Sequence, residues 1–322
     1  MAGQISKRNQ RLFLALIAVL LLVSLIVPSV NSLTVTAQTQ RPNLEGADFS
    51  VLEEAINIPA IKGHMTYLSS LGTRAVGYEG NWKAAQYIRD KFMEYGLTNV
   101  TQQSFTVVDA INRGTKMTLL ETGRTLTLHP IMPNLVCTSQ TPPEGITGPI
   151  IYAGAGWVED YKKGAKEANA DIEGSIILLD WYTGNRWITA AKLGAKAVIF
   201  LHPEVLGYSM AGTFCVKTLP ELPFQFPRYY AEEKETKILL QNVGKIVNVK
   251  SIHRWEEVTS WNVLGFIPGT KYSDRIIVIS SYYDSSSIAP SAAPGAEESA
   301  SISTLLEIAR YFAKHRPKNS LM

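Results

Sequence analysis

Apolar residues are spaced in two ways along this chain, and the clearest change from one to the other lies near its C-terminal end. Ile276-Ile277-Val278-Ile279 is an unbroken β-branched run. It predicts a short strand buried on both faces, as in the centre of a parallel sheet. Tyr282, Tyr283 and Asp284 stand at the end of that strand, and a loop rich in Ser, Ala and Pro leads to Gly295-Ala296-Glu297-Glu298-Ser299. Beyond it Leu305, Leu306, Ile308, Ala309 and Phe312 recur at helical spacing, which predicts a helix over 301–314. A carboxylate at a strand end therefore faces two more in the loop that opens a helix. Open α/β sheets bind ligands at such places.

Further upstream, Val51, Leu52, Ala55 and Ile56, then Ile61, Met65, Leu68 and Leu71, predict two helical pieces broken by Pro59, with His64 as a surface or helix-packing residue and not a ligand. Gly72 to Tyr78 reads as a glycine-bounded loop. Asn81 is placed to cap a helix from Trp82 to Tyr95 that Gly96 stops, with Ala84, Ala85, Ile88, Phe92 and Met93 as its buried stripe. Thr101 to Val108 alternates as a strand, with Phe105 and Val107 on one face.

Between about Lys116 and Ser260 the texture is of short strands separated by Gly and Pro. The clearest are Pro149–Tyr152, Gly174–Asp180 and Gly194–Phe200, with a helix over Arg186–Leu193 between the last two. Pro220 to Tyr230, rich in proline and aromatic residues, reads as a surface loop. His129, His202 and His253 show no pair at ligand spacing and read as structural. Ser260 to Thr270 returns the chain as a strand.

These motifs resemble the zinc aminopeptidases of metallopeptidase family twenty-eight. In that family a strand ends in His-x-Asp, and after a loop Gly-Ala-Asp-Asp-Asn-Ala-Ser-Gly begins a helix; the His binds one zinc and the first Asp of the pair bridges two. Asp284 matches the Asp of His-x-Asp, Tyr282 stands at the ligand His, Glu297 at the bridging Asp with Glu298 after it, and Ile302 at the last Gly. Asn262-Val263-Leu264-Gly265-Phe266-Ile267-Pro268-Gly269 is similar to the segment before the metal strand. Thr73-Arg74-Ala75-Val76-Gly77 is similar to a loop near the family's start. The strand–helix–strand from Gly174 to Phe200 resembles a protease-associated domain.

The fold so implied is an α/β aminopeptidase-like three-layer sheet, incomplete at the C-terminus, with a β-rich protease-associated insertion. The expected organisation is a signal peptide or anchor over 1–37, a first peptidase-like part over 38–115, the insertion over 116–258 and a second part over 259–322. The family reaction is metal-dependent hydrolysis of N-terminal peptide bonds, with zinc as cofactor and a peptide or protein as ligand. The Glu-Glu pair, the second Asp ligand and the last His that the resemblance leads one to expect would follow the helix, and the sequence ends at Met322.

The chemistry of the residues qualifies this expectation. A phenol with an ordinary pKa near 10 is a poor zinc ligand at neutral pH, and the extra methylene of Glu297 moves its carboxylate farther than metal geometry tolerates. A zinc pair is therefore not expected. The all-oxygen alternative is a single weak Ca²⁺ or Mg²⁺ on Asp284, Glu297 and Glu298, and the plainer reading of Glu297 and Glu298 is a pair of acids favouring a helix dipole. Ser285-Ser286-Ser287 lacks a Gly-x-Ser-x-Gly elbow and reads as loop. Two functions follow from the resemblance: a hydrolase of which this chain is an inactive piece, or a non-catalytic binding module on the same scaffold.

Composition adds location. The 322 residues suffice for two domains, and a formal net charge of +3 without a basic cluster excludes nucleic-acid binding. Lys7, Arg8 and Arg11 precede an apolar run from Leu12 to Val30, interrupted only by Ser24, Pro28 and Ser29. Nineteen residues at ~1.5 Å each span about 28 Å, close to a bilayer's hydrocarbon core. Cleaved signal peptide and retained anchor both fit, and both place the body outside the cytoplasm. Cys137 and Cys215 offer one disulfide or two buried thiols, and Asn99-Val100-Thr101 is a glycosylation sequon that reads first as an unmodified surface Asn.

Overall fold

A computed structural model describes residues 56–203 and 217–322, all within one compact unit, Glu54–Met322. The basic start, the Leu12–Val30 run, the first of the two helical pieces expected before Pro59 (apart from Ile56), and Cys215 lie outside the described residues. Among the described residues no helix is long and apolar enough to cross a membrane. Cys137 is a free, half-buried thiol, and Asn99 is exposed.

Two helices come first. Helix α1, Ile58–Ser70, is capped by the Asn57 side chain, which accepts from the Ala60 amide at 3.1 Å. Pro59 lies in its first turn, where a missing N–H costs nothing, so it opens this helix. Helix α2, Glu79–Glu94, begins before Asn81, whose side chain is buried and spent elsewhere; it caps nothing. Ala84, Ala85, Ile88 and Phe92 form its buried stripe as their spacing predicts, whereas Met93 is exposed.

The frame of the molecule is a ribbon of two long strands, β1 (Thr98–Leu119) and β8 (Ile246–Phe266), antiparallel from Thr98↔Phe266 to Leu119↔Val247. Irregularities at Thr98/Thr101 and Asn112/Gly114 let so long a ribbon bend. Phe105 is exposed on this ribbon while Val107 is partly covered. The boundaries expected at 115/116 and 258/259 fall inside these strands, which run on without interruption.

One end of the ribbon enters a mixed eight-stranded sheet of order β2-β1-β8-β4-β5-β6-β7-β3. The short outer strands are β2 (Thr125–Thr127) and β3 (His129–Pro130). β4 (Ile146–Tyr152), β5 (Ile176–Leu179), β6 (Ala197–Leu201) and β7 (Arg228–Ala231) pair in parallel. Parallel neighbours need crossovers; α3 (Val158–Ala168) and α4 (Trp187–Lys192) supply two of them, and α5 (Glu233–Leu240) follows β7. Every residue of β5, β6 and β7 is buried, as the apolar runs of the first two predict. The end of the segment expected as a surface loop is corrected: Phe226, Arg228, Tyr229 and Tyr230 are interior, because β7 is an inner strand with β6 and β3 on its two sides.

The other end of the ribbon packs on helices. Leu68 of α1, Ala84, Ile88 and Phe92 of α2, and Ile302, Leu306 and Ala309 of α6 (Ser299–Lys314) make its core, with Val100 and Val263 of the ribbon against it. His64 fills a polar gap there, bonded through Nδ1 to the Tyr87 hydroxyl at 2.6 Å and through Nε2 to that of Tyr95 at 3.2 Å. β9 (Tyr272–Ile277) pairs in parallel with β10 (Asn319–Leu321), as expected for a strand–helix–strand unit. The expectation that Ile276–Ile279 is buried on both faces is overturned: Ile276, Ile277 and Val278 are 53%, 49% and 60% exposed. β9 has one partner strand, so nothing among the described residues covers its far side.

Candidate active-site cleft

The loop between β9 and α6 is held by Arg74, a fully buried side chain from the loop between α1 and α2. Its guanidinium donates to four main-chain carbonyls: Nε to Tyr283 at 2.9 Å, Nη1 to Leu68 at 3.0 Å and Pro294 at 2.5 Å, and Nη2 to Gly295 at 2.8 Å. Its own amide donates to the Ser285 hydroxyl at 2.8 Å, which donates in turn to Ala293 O at 2.7 Å. Thr73 adds a bond to Pro290 O at 2.5 Å. Asn81 donates to Arg74 O at 3.0 Å and accepts from Ser260 at 3.2 Å, which ties the loop to α2 and β8. This is the work to which Asn81 is committed. Tyr283 is fixed by its hydroxyl, which donates to Trp261 O at 2.7 Å.

Glu297 and Glu298 emerge from that loop into a cleft of about 590 Å³, bordered on its other side by His202, Tyr230, Glu232, Glu233 and Lys234. Glu298 is the N-cap residue of α6 but makes no capping bond. Asp284 is half-buried and is not among the residues lining the cleft. Burial raises its pKa, against the pull of its own backbone amide and of Arg74, and Glu298 adds to the rise. Tyr282 is 57% exposed.

Two of the histidines read as structural, His202 and His129, stand near this cleft. His202 is bonded through Nδ1 to the Tyr230 hydroxyl at 2.5 Å. His129 is bonded to Ser291 at 3.0 Å and lies 3.5 Å from Glu232, and burial lowers its pKa against the charges of Glu232 and Glu235. His253 is farther off, buried, and accepts from the Ser139 amide at 3.1 Å. All three have hydrogen-bond partners within the protein.

The donor set does not fit a zinc pair. Among the described residues no group of three or more His, Cys, Asp and Glu side chains is arranged to hold a metal ion. The position resembling a ligand histidine carries an exposed phenol, and the charges of Asp284 and Glu298 both act on the Arg74 cation. A guanidinium among these carboxylates offsets the negative charge that a divalent ion requires. The structure thus brings Glu297 and Glu298 into one cleft and leaves Asp284 outside its lining, within the field of Arg74. Sequence reasoning placed Arg74 in a loop without a role; the Thr-Arg-x-x-Gly pattern was its one signal.

Residues 262–322 match the model of Peptidase family M28. The matched segment holds β9, the loop with Glu297 and Glu298, α6 and β10. The fold of the chain is similar to that of a zinc aminopeptidase from Bacillus subtilis, at 21% identity and a TM-score of 0.53, over 82% of this chain and 59% of that one. A second structure of a zinc aminopeptidase from that organism gives 20% identity and 0.51 with the same coverage. A Peptidase M28 precursor from Shewanella amazonensis SB2B is similar at 16% identity and 0.50, over 84% of this chain and 64% of that one. No curated protein matches the chain. The chain spans about three-fifths of the length of the zinc aminopeptidases that it resembles.

Proposed function

We propose that this chain is a metallo-aminopeptidase-like protein whose family reaction is the hydrolysis of N-terminal peptide bonds, and that the chain alone does not perform it. The match of residues 262–322 to Peptidase family M28 carries the first half of this reading. The donor set carries the second: Tyr282 in place of an imidazole, and no metal-holding group among the described residues. A two-metal hydrolase needs a bridging carboxylate, further ligands on each ion and a carboxylate base. The test is incubation of the purified protein with aminoacyl-nitroanilides and Zn²⁺ or Co²⁺. No metal-dependent turnover is expected; turnover abolished by Glu297→Ala would overturn the reading.

A second reading keeps the scaffold without the chemistry: a binding module that takes a peptide or protein in the cleft between Glu297–Glu298 and Glu232–Lys234. The open cleft of about 590 Å³ favours it. Within either reading the β-rich region around β4–β7 is a protease-associated-like module. The body is extracytoplasmic, directed there by the basic start and the Leu12–Val30 run. Cell fractionation with protease added from outside tests the location: protection of the body in intact cells would refute it.

A further inference from the structure

Three aromatic side chains border one cavity where the start of α2 meets the ribbon. Its volume is about 360 Å³, and Tyr78, Trp82 and Trp261 line it together with the charged residues Glu79, Arg113 and Glu257. It shares no lining residue with the cleft of Glu297 and Glu298. Gly77 brings the chain against the ribbon here: its φ is +83°, and a Cβ on it would lie 2.6 Å from Ile111 Cδ1 and 3.1 Å from Val258 Cγ1. Tyr78 follows at once, and its hydroxyl accepts from the Asn112 amide at 3.0 Å. Trp82 lies off the buried stripe of α2 and is 47% exposed, and Trp261 is half-buried on β8. A single exposed tryptophan needs no explanation. Two with a tyrosine on one cavity give it a largely aromatic wall.

The charges around this wall leave one carboxylate over. Arg113 is engaged, donating to Glu256 from Nη2 at 2.7 Å and from Nε at 3.1 Å, and Arg254 donates to the same carboxylate at 2.8 Å. Glu79 is paired with Lys83 at 2.7 Å. The Glu257 side chain is exposed and has no ion-pair or hydrogen-bond partner among the described residues. Burial raises the Tyr78 pKa; the charges of Asp109 and Glu256 add to the rise, against the Asn112 amide and Arg113. The phenol is therefore neutral, and its surroundings are negative on balance.

We propose that this cavity binds a quaternary ammonium group, a permanent cation without N–H donors. The faces of aromatic rings attract a cation, those of tryptophan most strongly, and the unpaired Glu257 carboxylate adds to that attraction. A primary ammonium or a guanidinium brings several N–H donors that need acceptors, and an aromatic wall supplies few. An anion would meet Glu257 with Arg113 already engaged. A neutral ring stacked on the indoles would leave the charge of Glu257 unused. This site goes beyond the reading of the cleft and stands whether or not the protein hydrolyses peptides.

The test titrates the full chain with choline, followed by calorimetry and by the indole N–H signals in heteronuclear NMR spectra, assigned with Trp82→Phe and Trp261→Phe. Saturable binding is expected, with the signals of Trp82 and Trp261 shifting and those of the buried Trp181 and Trp187 staying in place. Neohexyl alcohol, the uncharged isostere of choline with carbon in place of nitrogen, should bind at least about tenfold more weakly, and Trp82→Leu should weaken choline by a similar factor. Ethanolamine, the primary ammonium counterpart, should also bind more weakly than choline. Glu257→Gln should cost about two- to fivefold and reduce the sensitivity to salt; at an exposed strand position it serves as the second variant if Trp82→Leu fails to fold. Absence of saturable choline binding to the folded chain would overturn the proposal. So would neohexyl alcohol, ethanolamine or methyl glucoside binding as tightly as choline, or choline binding that leaves both indole signals unmoved, because the cavity would then not select this cation.

Discussion

Arg74 donates from Nη2 to Gly295 O at 2.8 Å, joining two loops 221 positions apart in sequence. Three other carbonyls depend on the same guanidinium. Removing it leaves buried acceptors without donors, at ~1–3 kcal/mol each before any relaxation or hydration. Arg74→Met is expected to lower unfolding free energy by about 3–5 kcal/mol in urea denaturation followed by circular dichroism. Arg74→Lys should recover only part of this, because an ammonium is a point donor without the planar fork. A loss below about 1 kcal/mol for Arg74→Met would mean that the loops are held by other contacts.

Gly295 is where that loop passes closest to Arg74. Its φ is +62°, and a Cβ there would lie 2.5 Å from the Ser285 Cβ and 2.8 Å from Arg74 Nη2. Gly295→Ala therefore meets both backbone strain and a clash with a side chain that has no room to retreat. The expected outcome is a loss of about 2–4 kcal/mol with faster amide exchange over 285–298. An alanine variant as stable as the parent would show that the loop relaxes at no cost.

His253 gives a pH signature. Burial pulls its pKa from 6.5 down to about 4, with the nearby Arg228 charge adding to the fall and the Ala110 backbone opposing it. A depressed imidazole pKa means that the unfolded chain binds the extra proton first. The stabilising contribution is full above about pH 6.5 and declines as pH falls toward 4. Its full size is about 3 kcal/mol. His253→Asn, whose Oδ1 replaces Nδ1 as acceptor for Ser139 N, should flatten the stability difference between pH 7 and pH 4.5 relative to the parent. If parent and variant lose stability in parallel over that range, His253 is not the titrating group.

The residues show why part of this architecture was legible in the sequence and part was not. Ile176–Leu179 and Ala197–Leu201 announce buried parallel strands because both faces are covered and no polar position interrupts them. The helix α6 is equally plain from its 3.6-residue repeat. Ile276–Ile279 carries the same local pattern, yet its burial depends on neighbours that pattern does not encode. Asn81 was misread for a related reason, whereas Pro59 opens a helix where the pattern places the start of its second piece. A proline is neutral in a first turn, and an Asn near a helix start caps only if its side chain is not engaged by another loop. At the cleft, Glu297 and Glu298 were legible as a pair. Arg74 was not, because a buried arginine is specified by four distant carbonyls and by nothing adjacent in sequence.

The exposed flank of β9 yields a solution property. Ile276, Ile277 and Val278 stand 53%, 49% and 60% exposed beside a strand edge with free main-chain groups, a combination that templates strand pairing between molecules. The parent chain is expected to self-associate at micromolar concentrations, and Ile276→Thr with Val278→Lys should suppress this by placing a charge on the flank while keeping β-branching at Ile276. Light scattering and size-exclusion chromatography at several concentrations compare the two. Because Val278 also lines a cavity of about 250 Å³ beside Met322, a second variant with Ile276→Lys alone separates the exposed flank from that cavity: it should reduce self-association and leave β10 paired. A parent that elutes as a sharp monomer at all concentrations, with a cooperative melt, would show that this flank does not template strand pairing.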